Sequence, residues 1–298
     1  MCRLGLFDLG EKIFYILAML EDGRSCRKPS YAGSFYPSEK FQLEKVVNEY
    51  IKEADVPKAT LDSDILAIVS PHAGYKYSGV VAGYSYKAVA GKNYDIAIIL
   101  APSHHFYLNF FVIDDRDYYQ IPLGVLKVNK EIVEFLRYKG GFEVAYRVQD
   151  EEHSLEVQLP FLYQAFMGKI EIVPILYGEE TRSFMTKMAH TLIEVIDEFP
   201  EKKVLIVVST DLSHYHSYSE AYEIDSRLAG VLVERDFEKF VSLIGSKKVE
   251  ACGAGPLGTF IYLSNIRNKN VEVLKLLNSG DTSGTRDFVV GYMSAVMY

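Results

Sequence analysis

The sequence predicts an α/β fold organised on a buried, parallel sheet. Three short runs, at 65–69, 96–100 and 204–208, are continuously apolar rather than alternating. That is the pattern of strands covered on both faces. Apolar residues at helical spacing fall between them, for example over 80–89, so strand, helix and strand follow one another. Such an order implies parallel pairs joined by right-handed crossovers.

Residues 1–26 carry no strong periodic pattern and read as an N-terminal extension, either a short helix packed on the domain or a stretch preceding a start at Met19. The apolar run at 13–20 is under half the length of a membrane span and has no small-residue cleavage site after it, which excludes a signal peptide. The remainder, 27–298, shows no repeat, low-complexity tract or linker and reads as one domain. It opens on a turn-rich loop at 31–37, then a helix capped by Ser38 whose apolar positions run from Phe41 to Ile51. After the strand at 65–70, the helix at 80–89 and the strand at 96–100 come two short strands, 110–113 and 124–128, expected to form a peripheral ribbon. Helices follow at 131–138 and 154–166, Pro160 either bending the second or lying near its first turn. The strand at 171–176 is expected to be irregular at Pro174. A helix at 182–198 leads to the strand at 204–208. Helices at 221–233, 238–243 and 257–266 and closing strands at 271–277 and 288–297 complete the chain.

Composition narrows the function. The chain has 298 residues, 49% of them hydrophobic, with 32 basic and 40 acidic side chains and a formal net charge of −8. Without a Lys/Arg-rich run, such a chain is a poor ligand for nucleic acid or anionic membrane. Three scattered cysteines, Cys2, Cys26 and Cys252, make no disulfide framework and point to a reducing, cytoplasmic setting. No nucleophile elbow, P-loop, zincin helix or dinucleotide fingerprint is present, so no nucleotide cofactor is expected.

The chemistry-bearing residues gather where strands end. Pro71-His72-Ala73-Gly74-Tyr75 follows the first strand, Pro102-Ser103-His104-His105 the second, and Ser209-Thr210-Asp211-Leu212-Ser213-His214 the third. If these strands are parallel neighbours, all three segments share one edge, where ligands of open α/β sheets bind. A fourth segment, Glu151-Glu152-His153-Ser154, looks like a helix start; its acids suit the positive end of the dipole, whereas His153 gains nothing there. Cys252 precedes Gly253-Ala254-Gly255-Pro256. It reads either as a packing thiol or as a thiolate whose pKa falls at a helix N-terminus, serving as ligand or nucleophile. His72, His104 and Cys252 would supply three metal ligands with an open position, a donor set suiting Zn, Cu or Fe and not Mg or Ca. Asp211 and His214 would orient one another or act as base and supporting group. Of His104 and its neighbour His105 only one is expected to ligate; His216 is expected at the rim and His190 to be structural.

These motifs, with Ala32-Gly33-Ser34-Phe35-Tyr36, Glu152-His153-Ser154-Leu155-Glu156 and Cys252-Gly253, resemble the Memo family from about residue 27 to the C-terminus. That family is similar in fold to the class III extradiol dioxygenases. The resemblance implies a three-layer α/β/α architecture with a central, largely parallel mixed sheet. It implies His72 and His104 as the two histidine ligands of those enzymes, with Cys252 in place of their carboxylate. It implies His153 and His214 as acid–base histidines. The exchanged ligand argues against ring cleavage and for Cu, Zn or differently tuned iron. The resemblance further implies a redox-linked protein holding Fe(II) or Cu, a metal-dependent oxidoreductase if it is an enzyme, acting on a small-molecule or peptide ligand in the cleft. An alternative is a non-catalytic adaptor binding phosphotyrosine-type peptides there. A pathway link to a radical-SAM protein is also implied.

Overall fold

The computed structural model describes residues 26–298. The N-terminal extension therefore lies outside the described residues as far as residue 25. Cys26 itself belongs to strand β1 (Cys26–Arg27), paired with Tyr118.

The four strands that carry the fold are β2 (Ala67–Ser70), β3 (Ile96–Pro102), β8 (Glu171–Tyr177) and β9 (Val204–Ser209). They lie in the order β2-β9-β3-β8, every pair parallel. All are buried except for Glu171 at the start of β8, which accounts for their unbroken apolar pattern. Antiparallel strands flank this block. β12 (Val289–Met297) pairs with β2 on one side, bringing β11 (Val271–Asn278) and β10 (His214–His216) with it. On the other side β4 (Phe111–Ile113) pairs antiparallel to β8 and carries β7 (Phe142–Val144). Helices cover both faces, giving the three-layer mixed α/β architecture. Helices Arg182–Glu198 and Ala254–Ile266 pack on one another, the latter also on β3 and β9; helices Lys40–Glu53 and Tyr75–Val89 pack together, the latter also on β2, β11 and β12.

Several local expectations are corrected. The segment at 110–113 is no peripheral ribbon, because its buried β4 joins the main sheet. Only β6 (Gly124–Lys127) lies apart, in a three-stranded sheet with β5 (Tyr118–Ile121) and β1. Pro174 leaves β8 regular: it pairs in register with Ile99, while β4 bonds only Ile175 and Leu176. The missing N–H thus falls where no ladder runs. Ser38 does not cap the first long helix; Glu39 occupies that position without a side-chain bond. The single helix expected over 154–166 is two, His153–Glu156 and Leu159–Ala165, with Pro160 in the first turn of the second. Proline cannot donate to the Glu156 carbonyl one turn earlier, so the helix restarts. Among the described residues no helix is long and apolar enough to cross a membrane.

A candidate metal centre

Because β2, β9 and β3 are parallel neighbours, with Ser70 level with Ser209, their C-terminal ends open onto one edge. His72, Asp211 and His104 emerge there. Cys252 arrives from the loop before helix Ala254–Ile266 and is tied to the end of β9. Its N–H donates to the Asp211 carbonyl at 3.2 Å, its sulfur accepts the Asp211 N–H at 3.2 Å, and the Gly253 N–H donates to Thr210 Oγ1 at 3.0 Å. Gly253 is required for this approach, since a Cβ there would stand 2.6 Å from the Ser209 carbonyl oxygen.

His72 is buried and Cys252 half-buried, whereas His104 keeps 28% of its side chain exposed. Their donor atoms lie within 4.8 Å of one another, and Cys252 Sγ is 3.1 Å from His72 Nε2. Two donors on one tetrahedral ion stand roughly 3.5 Å apart, given Zn–N and Zn–S bonds of about 2.0 and 2.3 Å. The set therefore closes on a single ion with small adjustments, and its soft thiolate with two imidazoles suits Cu(I), Zn or Fe.

The hydrogen bonds around the rings decide which nitrogens are free. Ser209 Oγ donates its only hydrogen to the Ser154 carbonyl at 2.7 Å and accepts from Gln158 Nε2 at 2.9 Å. It can only accept from His72 Nδ1, 2.9 Å away. That assigns the proton to Nδ1 and leaves the Nε2 lone pair facing Cys252. Glu152 does the same for His104. Its buried carboxylate accepts the His104 N–H at 2.6 Å, His104 Nδ1 at 2.9 Å and the Ser154 N–H at 2.8 Å. Glu152 thereby serves as helix cap and histidine orienter at once. These bonds occupy its oxygens, so the grouping of His104, Glu152 and His153 has fewer donors to spare than the set with Cys252. Ser209→Ala is expected to lower metal affinity roughly 10–100-fold without unfolding the protein, the usual cost of losing a group that orients a ligand. Competition with a chelator checks this, and unchanged affinity would contradict the assignment.

Electrostatics follow from the same contacts. Burial, reinforced by His104, holds His72 well below the ordinary histidine value, so it stays neutral. Burial also disfavours charge on His104, but the Glu152 carboxylate outweighs it and raises its pKa. Burial works against the Glu152 charge too, yet the bonds from His104 bring its carboxyl down to about 2. His153 is brought down to about 3 by burial and by His72. It stacks on His104 with centroids 4.6 Å apart and lies against Phe35 at 4.5 Å. His214 Nδ1 donates to the Leu212 carbonyl at 2.8 Å, which leaves its Nε2 as acceptor. Asp211 is pushed up to about 6 by burial; its Oδ1 accepts the N–H groups of His72 and Ala73 at 2.8 and 3.3 Å. The lowered thiol pKa that a helix N-terminus suggests for Cys252 is not found: burial and Asp211 raise it well above its usual value.

The outlying histidines separate cleanly. His105 is exposed, His190 stands on the outer face of its helix beside Tyr262, and His216 bonds Glu250 at 3.1 Å on the rim. Sequence reasoning missed Ser209 and Gln158 as orienters, and Glu180. The rule that found His72 and His104 would have found Glu180, which closely follows the end of β8.

The family described as Memo-like protein matches residues 27–296. A MEMO1 family protein of Nitrosopumilus maritimus is 33% identical over 270 residues, covering 89% of this chain and 97% of that protein. MEMO1 family proteins of Sulfurisphaera tokodaii and Saccharolobus solfataricus are 31% and 32% identical, each over 90% of this chain and 98% of the relative.

Proposed function

The chain belongs to the Memo family, and from that premise we propose that it is a metal-dependent, redox-linked protein whose centre is held by His72, His104 and Cys252. The observation that carries the reading is the pair of fixed histidine tautomers. Ser209 and Glu152 each take up an Nδ1–H, so that two Nε2 lone pairs and one sulfur gather with no other charge partner required. Bound there, Cu or Fe would supply one-electron chemistry, whereas Zn would supply only Lewis acidity.

The chain's own groups divide the remaining work. Asp211 positions the His72 turn through two backbone N–H groups, so we assign it positioning rather than proton transfer. His214 Nε2 is free to accept a proton from a ligand, its ring fixed by the Leu212 carbonyl. His153 stays neutral and half-buried between His104 and Phe35, its Nδ1 3.2 Å from Glu152 Oε1; a ring that binds a proton this weakly is assigned to lining the cleft rather than to taking up a proton. Occupants of the cleft are proposed to be small molecules rather than macromolecules.

The test is elemental analysis of protein purified without oxygen, alongside a His72→Ala/Cys252→Ala double variant. About one Cu, Fe or Zn per wild-type chain and almost none in the variant is expected. Equally low metal in both would end the proposal.

A further inference from the structure

Beside Cys252 the cleft continues into a cavity of about 220 Å³, lined by Pro102, Ser103, Tyr177, Gly178, Glu180 and Cys252. At about 30 Å³ per water it has room for some seven water molecules, or a compact organic group. Its walls are the ends of β3 and β8. Gly178 lets the β8 end lie close against the 108–110 loop, since a Cβ there would stand 2.3 Å from the Phe110 carbonyl oxygen.

The polar side chains of this lining offer acceptors and almost no donors. The Tyr177 hydroxyl is engaged with Thr259 Oγ1 at 2.6 Å and the Phe184 carbonyl at 3.1 Å. Ser103 Oγ donates to the Phe106 carbonyl at 3.0 Å, leaving only lone pairs for an occupant. Among the described residues Glu180 is the one carboxyl in the lining. Its Oε1 accepts the Gly255 N–H at 3.5 Å, the residue keeps exposed surface, and burial pushes its carboxyl up to about 7. It lines the same cavity as Cys252, one of the proposed ligands. Among the described residues no Lys or Arg lines the cavity to balance it. A carboxylate group entering here would meet Glu180 and the lone pairs of Ser103. An ammonium group would favour the ionised form of the Glu180 carboxyl, pair with it, and find a second acceptor in Ser103.

We propose that this cavity is a ligand subsite for a compact primary amine, with Glu180 as the residue that selects it. This rests on the metal-centre reading for its adjacency to the reacting position, while the selection itself rests on the lining alone. Glu180 is a specificity-determining residue here: it binds the ammonium end of a ligand and takes no part in holding the metal.

Saturation-transfer NMR on the full-length protein tests it, using ethylammonium and acetate as probes matched in size. Wild-type and Glu180→Gln proteins are compared, each metal-free and zinc-loaded, with zinc content measured in the same samples. Ethylammonium is expected to bind saturably to wild type, at least tenfold more weakly to Glu180→Gln, and acetate to neither. Acetate binding as well as ethylammonium, equal ethylammonium binding by the two proteins, or no saturable ethylammonium binding would each overturn the subsite. The zinc content separates the two ideas. Glu180-dependent amine binding by a protein that takes up no zinc would remove the metal centre and leave the subsite. Zinc uptake without amine binding would do the reverse.

Discussion

Cys252→Ser is expected to weaken metal binding by on the order of 10²–10³-fold, the largest loss for any single-atom change in the centre. The scale follows from sharing roughly 10–16 kcal/mol of binding over four ligands, about 2.5–4 kcal/mol each, at about 1.4 kcal/mol per factor of ten. The variant should also alter the pH dependence, and the sign can be worked out from the contacts. Burial and Asp211 hold the wild-type thiol well above its usual pKa, so near neutrality it is protonated and donates toward His72 Nε2, 3.1 Å away. A metal must displace that proton, so affinity rises about tenfold per pH unit. His104, its burial penalty outweighed by Glu152, carries a raised pKa and adds a second proton to displace as pH falls below it. His72, held neutral by burial, adds none. Wild-type affinity should therefore climb steeply from pH 6 to pH 8, whereas Cys252→Ser should show a slope lower by about one proton. Chelator competition at three pH values measures both quantities. Equal affinities and equal slopes would mean that the sulfur does not ligate.

Glu156→Ala is expected to be the most destabilising single change near the site, by about 3–5 kcal/mol, the usual cost of stranding a buried charge. Glu156 is fully buried and accepts four bonds: from Arg27 Nη1 at 2.6 Å, the Ser30 and Tyr31 N–H groups at 2.9 and 2.8 Å, and Tyr36 Oη at 2.6 Å. Arg27 is equally buried, and its other bonds go to neutral carbonyls, including those of Gln149 and Glu152. Truncation thus leaves the buried guanidinium with only the more distant Asp150 carboxylate, 3.9 Å from Nε, and three further donors unpaired. At about 2–4 °C per kcal/mol for a domain of this size, the melting temperature should fall by roughly 6–20 °C. Glu156→Gln, which keeps acceptor atoms, should lose less. The effect reaches the site because the loop fastened by Glu156 carries Tyr31 and Phe35, whose rings lie 5.5 and 4.5 Å from His153. Chemical denaturation of both variants checks this; a loss under about 1 kcal/mol for the alanine variant would show that Arg27 finds another partner or water.

Much of this site was legible in the sequence because strand burial and strand direction are locally encoded. A short unbroken apolar run rich in β-branched residues, such as that at 204–208, reads as a strand covered on both faces, and parallel strands must end on a common edge. His72, His104, Asp211 and His214 follow from that rule alone, and the structure brings them to the same edge. The same locality set the limits. Pro160 restricted its helix without revealing that the restart leaves Gln158 free to bond Ser209 and the Pro71 carbonyl. Glu152 looked like a helix cap because capping is a near-neighbour effect; its hold on His104 spans 48 residues.

The sequence by itself therefore determined the family, the layer architecture and the edge at which polar residues collect. Periodicity and motif order express which face of each element is buried and which way each strand runs. The tertiary structure alone decided which atoms are free to react. His72 meets Ser209 across 137 residues and Cys252 across 180, so neither its protonated nitrogen nor its sulfur neighbour could be read from local pattern. A side chain's tautomer and charge are set by whatever packing brings within about 3 Å, and packing between distant elements leaves no periodic trace in the chain.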